Sequence, residues 1–177
     1  MKRTEKTKNM ARCALFAAVI AVVAPFTVPL GTIPVSLASL AVMLAGVILP
    51  PAQAVAAVGT YLFCGAIGLP VFSGAQGGLS VFLGPTGGYL WGYLLCAFVT
   101  AFVTRQKSRS FLLCALGAFA GAVLSCLCGA VYYMLLSKVS FGTALGVCVF
   151  PFLPMEAAKA ALAAALGRSI RRALSYS

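Results

Sequence analysis

One carboxylate and one ammonium stand in the segment PFLPMEAAKAALAAAL, residues 151–166: Glu156 and Lys159. Three residues apart on a helix, their Cβ atoms come within roughly 5–6 Å on one face. Such a pair has two uses. It can stitch its own helix as an ion pair, or it can face a cavity, where the carboxylate accepts hydrogen bonds from a polar ligand and the ammonium donates them. A charge at the bilayer centre costs on the order of 2.5–3.5 kcal/mol on insertion scales. The pair follows Pro154 near the end of an apolar run, which lowers that cost. The rest of the chain avoids charge, so the cavity-facing arrangement is the favoured expectation.

Little other chemistry is available. The chain has no histidine and two acidic residues, Glu5 in a basic N-terminal stretch and Glu156. The usual general base is missing, and paired-carboxylate catalysis inside a membrane is excluded. Glu156 alone could carry one proton. No GxxxxGK[ST] occurs, so the chain has no P-loop of its own. The seven cysteines lie in or beside apolar runs, and Cys126 and Cys128 do not have CxxC spacing. They read as buried, reduced small hydrophobes, with no metal site and no cofactor. An enzyme is not expected.

The elements that must position the pair are membrane helices. The 177 residues are 62% hydrophobic and 8% charged, against about 25% charged in soluble domains. Backbone groups in lipid are satisfied only in helices and closed barrels. The apolar runs are continuous and rich in Ala, Leu and Gly, not alternating, which selects helices. The expected fold is an all-α integral membrane protein, a bundle of six transmembrane helices with re-entrant outer loops. The spans fall at about residues 10–26, 36–49, 52–69, 87–104, 111–136 and 152–174, in one membrane domain covering 1–177. Residues 1–9 form a basic cytoplasmic tail. Met10–Pro25 reads as the first span and not as a cleaved leader, since further apolar segments follow at once.

The charges set the orientation. Lys2, Arg3, Lys6, Lys8 and Arg12 precede or open span one. Arg105, Lys107 and Arg109 lie between spans four and five, and Arg168, Arg171 and Arg172 close span six. Six spans with both termini cytoplasmic put these eleven on one side. Lys138 is then the one basic residue in an outer loop, as the positive-inside rule requires. The net charge of +11 thus reads as topology and contact with an anionic lipid bilayer, not as nucleic-acid binding.

Polar groups gather in the outer loops, PFTVPLGTIPVSL and GLPVFSGAQGGLSVFLGPTGG, and around Pro151–Pro154. They include Thr27, Thr32, Ser36, Ser73, Gln76, Ser80 and Thr86, accompanied by Phe26, Phe72, Phe82, Tyr89, Trp91, Phe150 and Phe152. Apolar walls with a few convergent polar groups describe a small-molecule pocket, though each aromatic could equally belong to an interfacial belt. Gly87-Gly88 opens span four, where free N–H groups favour an anion. GPTGG, residues 84–88, is read as a capped re-entrant turn at the pocket mouth.

The motifs GLPVFSG at 68–74, GG at 77–78, LGPTGGYLWGY at 83–93 and PFLPMEAAKAALA at 151–163 resemble the BioY family, the biotin-binding S components of energy-coupling factor (ECF) transporters. The resemblance covers essentially all six spans. It implies a six-helix bundle that captures biotin at the outer face of a prokaryotic cell membrane. It also implies partners, a transmembrane T component and two ABC-type ATPases. Glu156 and Lys159 match the acidic residue and lysine expected to hold the ureido ring: a carboxylate accepts its N–H groups and an ammonium donates to its carbonyl. Thr86, Gly87, Tyr89, Phe72, Gln76 and Ser36 complete the expected binding set. Ala14 and Ala18 match an AxxxA pattern expected to pack on the T component, and Ala17 and Ala21 form a second copy. The chain departs from the family at Met155 and Glu156, where the usual pattern is Gly-Asp, and at Ala38-Ser39, where Gln-Thr is expected.

Two other readings remain open at this point, an S component for a different vitamin and a self-sufficient secondary transporter with Glu156 as proton site. The orientation is testable in a background with the native cysteines replaced. An impermeant thiol reagent applied to whole cells is expected to label Gln76→Cys and to miss Lys107→Cys. The reverse pattern overturns the six-span topology.

Overall fold

The computed structural model describes residues 2–28, 35–105 and 110–175. Thr32, Lys107 and Arg109 lie outside the described residues. Helix α1 spans Lys2–Val23, so the basic residues of the expected tail form the first turns of a helix. Two-residue strands β1 (Thr27–Val28) and β2 (Val35–Ser36) pair antiparallel, with Thr27 opposite Ser36. Helix α2 covers Ala38–Ile48 and α3 covers Pro51–Ala66. The break between them follows from Pro50-Pro51: a proline disfavours helical backbone in the residue before it, and Pro51 is preorganised for a first helical position.

A 3₁₀ turn at Ser73–Ala75 and the single turn α4 (Ser80–Leu83) lead to α5 (Gly87–Arg105). The long α6 (Phe111–Ser137) ends on Lys138, whose left-handed backbone (φ 52°) closes the helix. Helix α7 (Phe141–Cys148) was not anticipated as a separate element. Its N-cap Ser140 accepts a hydrogen bond from Thr143 N–H. Helix α8 (Leu153–Ser175) carries Glu156 in its first turn.

By length and composition, α5 and α6 can each cross a membrane alone. The pair α7–α8, bent by 49°, makes a third crossing if taken as one span. The others fall short for separate reasons. The 11 residues of α2 and the 16 of α3 reach only about 17 and 24 Å at 1.5 Å per residue, and the first half of α1 is charged. The fold class is confirmed as all-α apart from the β1–β2 ribbon. The exterior is apolar, with Leu15, Phe102, Leu116 and Leu135 all more than half exposed. Such a surface suits lipid rather than water.

The tightest packing is α5 against α6, with α8 and α2 closing the same core and α3 and then α1 outside it. Glycines permit the close approach. A Cβ on Gly92 would lie 2.7 Å from Ser125 Cα, and one on Gly121 would lie 2.7 Å from the Cys96 carbonyl oxygen. Small residues at helix contacts are how membrane helices gain packing without a hydrophobic drive. Gly92→Val is therefore expected to destabilise the bundle by about 1–3 kcal/mol, read as a lower thermal midpoint in detergent. Gly59→Ala, inside α3 where an added Cβ meets nothing within 4 Å, is expected to leave the midpoint unchanged or raise it slightly. Equal effects of the two would contradict this packing.

Candidate functional site

Helix α8 begins among Phe152, Leu153 and Pro154, and the Glu156 N–H donates to the Phe152 carbonyl at 2.8 Å. This holds the Glu156 carboxylate in the first helical turn, where the helix dipole favours negative charge. Lys159 lies one turn on. Both side chains are buried, each at 7% exposure. Lys159 Nζ donates to Glu156 Oε1 at 2.8 Å, to Ser39 Oγ at 2.9 Å and to the Ser36 carbonyl at 2.8 Å. Ser39 Oγ donates in turn to Glu156 Oε1 at 3.0 Å.

All three ammonium protons are thus used within the protein. Glu156 Oε1 accepts two hydrogen bonds, whereas Oε2 is buried and accepts none from the described residues. The pair is an ion pair on its own helix, as one of the two initial readings has it. It also borders a cavity, as the other has it, because Glu156 lines that cavity.

The cavity has a volume of about 40 Å³. Glu156, Ser36 and Ser39 stand on one side. Phe72, Val81, Leu90 and Phe152 supply apolar wall, and Tyr89, Tyr93, Ser125 and Cys126 line the α5–α6 side. Ser73, Thr86 and Ala122 complete the lining.

Local bonding fixes these walls. Tyr89 Oη donates to the Cys148 carbonyl at 2.7 Å, which ties α5 to the end of α7. Tyr132 Oη donates to the Phe82 carbonyl at 2.9 Å, which ties α6 to α4. The Gly74 N–H donates to the Pro25 carbonyl at 3.2 Å, and Ser36 Oγ donates to the Ala24 carbonyl at 2.8 Å. Phe72 is buried over Gly65, where no side chain would fit, and packs edge-on against Tyr61 and Phe82.

Of the residues singled out in the sequence, Glu156, Ser36, Phe72, Thr86 and Tyr89 converge on the cavity. Lys159 does not line it; it sits behind Glu156 with its donors engaged. Gln76 is exposed, and its carbonyl accepts from the Phe72 N–H at 2.9 Å within the loop. Gly87 is buried outside the lining, and its N–H donates to the Gly84 carbonyl at 2.9 Å, so it is not a free anion donor. The GPTGG turn does contribute Thr86 to the cavity.

Ser39, Tyr93, Ser125 and Cys126 were not anticipated as lining. Each lies within a helix, and the one available signal was Ser39, already noted as a departure from the resembling family. Trp91, Phe26 and Phe150 are more than half exposed, as members of an interfacial belt would be. On α1, Ala14 and Ala18 are exposed, whereas Ala17 is buried.

A sequence model of the BioY family matches residues 1–176. The biotin transporter BioY2 of Lactococcus lactis is 33% identical over 171 residues, covering 97% of this chain and 94% of that protein. The biotin transporter BioY of Rhizobium etli is 34% identical, covering 93% of each. Among solved structures, the S-component for biotin from an ECF-type ABC transporter matches with a TM-score of 0.89 at 28% identity, covering 97% of this chain and 95% of that one.

Proposed function

The chain belongs to the BioY family, and from that premise we propose that it captures biotin for an ATP-driven ECF-type importer. It is a transport protein and not an enzyme. One observation supports the binding reading most directly. Glu156 is buried at the cavity wall with one carboxylate oxygen already neutralised by Lys159 and the other without a hydrogen bond. A buried acceptor without a donor costs about 1–3 kcal/mol, and a ureido N–H removes that cost on binding. Lys159 acts through Glu156, holding its carboxylate in place. Phe72, Leu90 and Phe152 suit the thioether ring and aliphatic tail. Thr86 offers a hydroxyl to the tail carboxylate.

The topology we propose is six passes with both termini cytoplasmic. Its support is the alternation of helix ends. Arg12 of α1, Leu49 after α2, Pro51 of α3, Arg105 of α5 and Arg171 of α8 border one cavity, whereas Ser39, Tyr89 and Glu156 border the other. About 24 Å separates Tyr89 from Arg105 along α5 at 1.5 Å per residue. The basic residues of three helices thus share one end, and the binding cavity opens toward the other.

The same reading assigns a transmembrane T component and two ABC-type ATPases as partners, docking on the exposed Ala14–Ala18 strip. The second AxxxA copy is less suited, because Ala17 is buried inside the bundle.

Glu156→Gln is expected to weaken biotin binding by about 10- to 150-fold, since a hydrogen bond to a charged group contributes roughly 1.5–3 kcal/mol and ~1.4 kcal/mol is tenfold. Lys159→Met strands a buried carboxylate. The double variant is expected to be less damaged than the sum of the singles, because neither charge is left alone. If well-folded Glu156→Gln protein binds biotin as the parent does in calorimetry, the pair is only a structural stitch.

For docking, Ala14→Trp is expected to preserve biotin binding and to abolish ATP-driven uptake. Loss of binding with co-purification of the partners intact would show that this face of α1 serves the pocket.

A further inference from the structure

A second cavity lies at the end of the bundle remote from Glu156. Arg12 of α1, Arg105 of α5 and Arg171 of α8 border it, over an apolar floor that includes Leu49, Val55 and Phe98. These arginines come from three helices far apart in sequence, and the fold brings them to one groove. The chain has no carboxylate to spare for them. Of its two acidic side chains, Glu156 pairs with Lys159 in the other cavity. Glu5 lies seven residues before Arg12, about 10 Å back along α1.

Arg171 Nη1 donates to the Thr104 carbonyl at 3.4 Å, which orients the guanidinium and leaves most of its five donors available. The groove also receives the start of α3. Pro51 borders it, and that helix has no side-chain cap, so its first-turn amides and dipole add to the positive field.

We propose that this groove is a binding site for an anionic phospholipid. The phosphate sits among Arg12, Arg105 and Arg171, and an acyl chain follows α5. The case for a lipid over a free anion is the continuity of the apolar floor with the exterior. Phe98, 47% exposed, stacks on Phe102, 59% exposed, with ring centroids 6.0 Å apart. The pair extends the groove wall onto the outer face of the bundle as a track for hydrocarbon. Arginine forks match phosphate oxygens, and basic pockets between membrane helices take anionic head groups. The site depends on the chain being embedded in a bilayer and not on what the other cavity binds.

The test is native mass spectrometry of delipidated full-length protein titrated with dioleoylphosphatidylglycerol or dioleoylphosphatidylcholine, with and without inorganic phosphate. The parent is expected to prefer the anionic phosphatidylglycerol, and phosphate at millimolar concentration is expected to leave that preference intact. Each of Arg12→Gln, Arg105→Gln and Arg171→Gln is expected to weaken it about fivefold, and the triple variant on the order of 100-fold. Lys6→Gln with Lys8→Gln, which removes charge outside the groove, is expected to leave it unchanged.

The single variants keep the test open if the triple one fails to fold. Equal retention of both lipids by the parent, or an unaltered preference in the folded arginine variants, overturns the proposal. So does displacement of the lipid by phosphate, which would mark a free-anion site. Loss of partner proteins from the arginine variants with lipid preference intact would assign the groove to protein contact instead, and also overturns it.

Discussion

A carboxylate enclosed by hydrocarbon is tolerated only when its charge is balanced and its oxygens find donors. Glu156 meets the first condition through Lys159 and half of the second through Lys159 and Ser39, all converging on Oε1. The cluster joins α8 to α2 through Ser39, and to β2 through the Ser36 carbonyl, across more than a hundred residues of sequence. Breaking such a pair by removing one partner typically costs about 3–5 kcal/mol, far more than the intact pair contributes. What the arrangement secures is geometry. One oxygen is held and neutralised, and the other is kept at the cavity wall as an unused acceptor.

The remainder of the bundle serves that geometry. Glycines on α5 and α6 let the two helices approach closely enough for Ser125 and Cys126 to face the same space as Tyr89 and Tyr93. The hydroxyls of Tyr89 and Tyr132 pin the turns around the mouth to backbone carbonyls. At the far end, arginines from α1, α5 and α8 border the second cavity. The two ends therefore differ in kind, one cavity built around a single neutralised acid and the other around uncompensated bases.

How much of this could be read from the sequence depended on the physical origin of each feature. Two charges inside an otherwise apolar run, residues 151–166, stand out without any structure, and their i, i+3 spacing already implies a shared face. Thr86, Tyr89 and Phe72 were readable because they flank Gly- and Pro-rich turns, where pockets form. Ser39, Tyr93 and Ser125 were not, since facing for a mid-helix residue depends on helix rotation, and uniformly apolar helices leave no periodic signal for it. Gln76 and Gly87 lie outside the lining, where local backbone hydrogen bonds with Phe72 and Gly84 decide their direction. Helix α7 was missed because its apolar run merges into the segment before Pro151, and only the 49° bend separates it from α8.

In the proposed complex the open oxygen of Glu156 accepts a ureido N–H from biotin. Isothermal titration of the purified parent with biotin and with biotin methylated on a ureido nitrogen tests it most directly. Loss of that contact is expected to weaken binding of the methylated ligand to the parent at least tenfold, with a much smaller difference in Glu156→Gln protein, whose acceptor is weaker. Equal affinity of the parent for both ligands would contradict it.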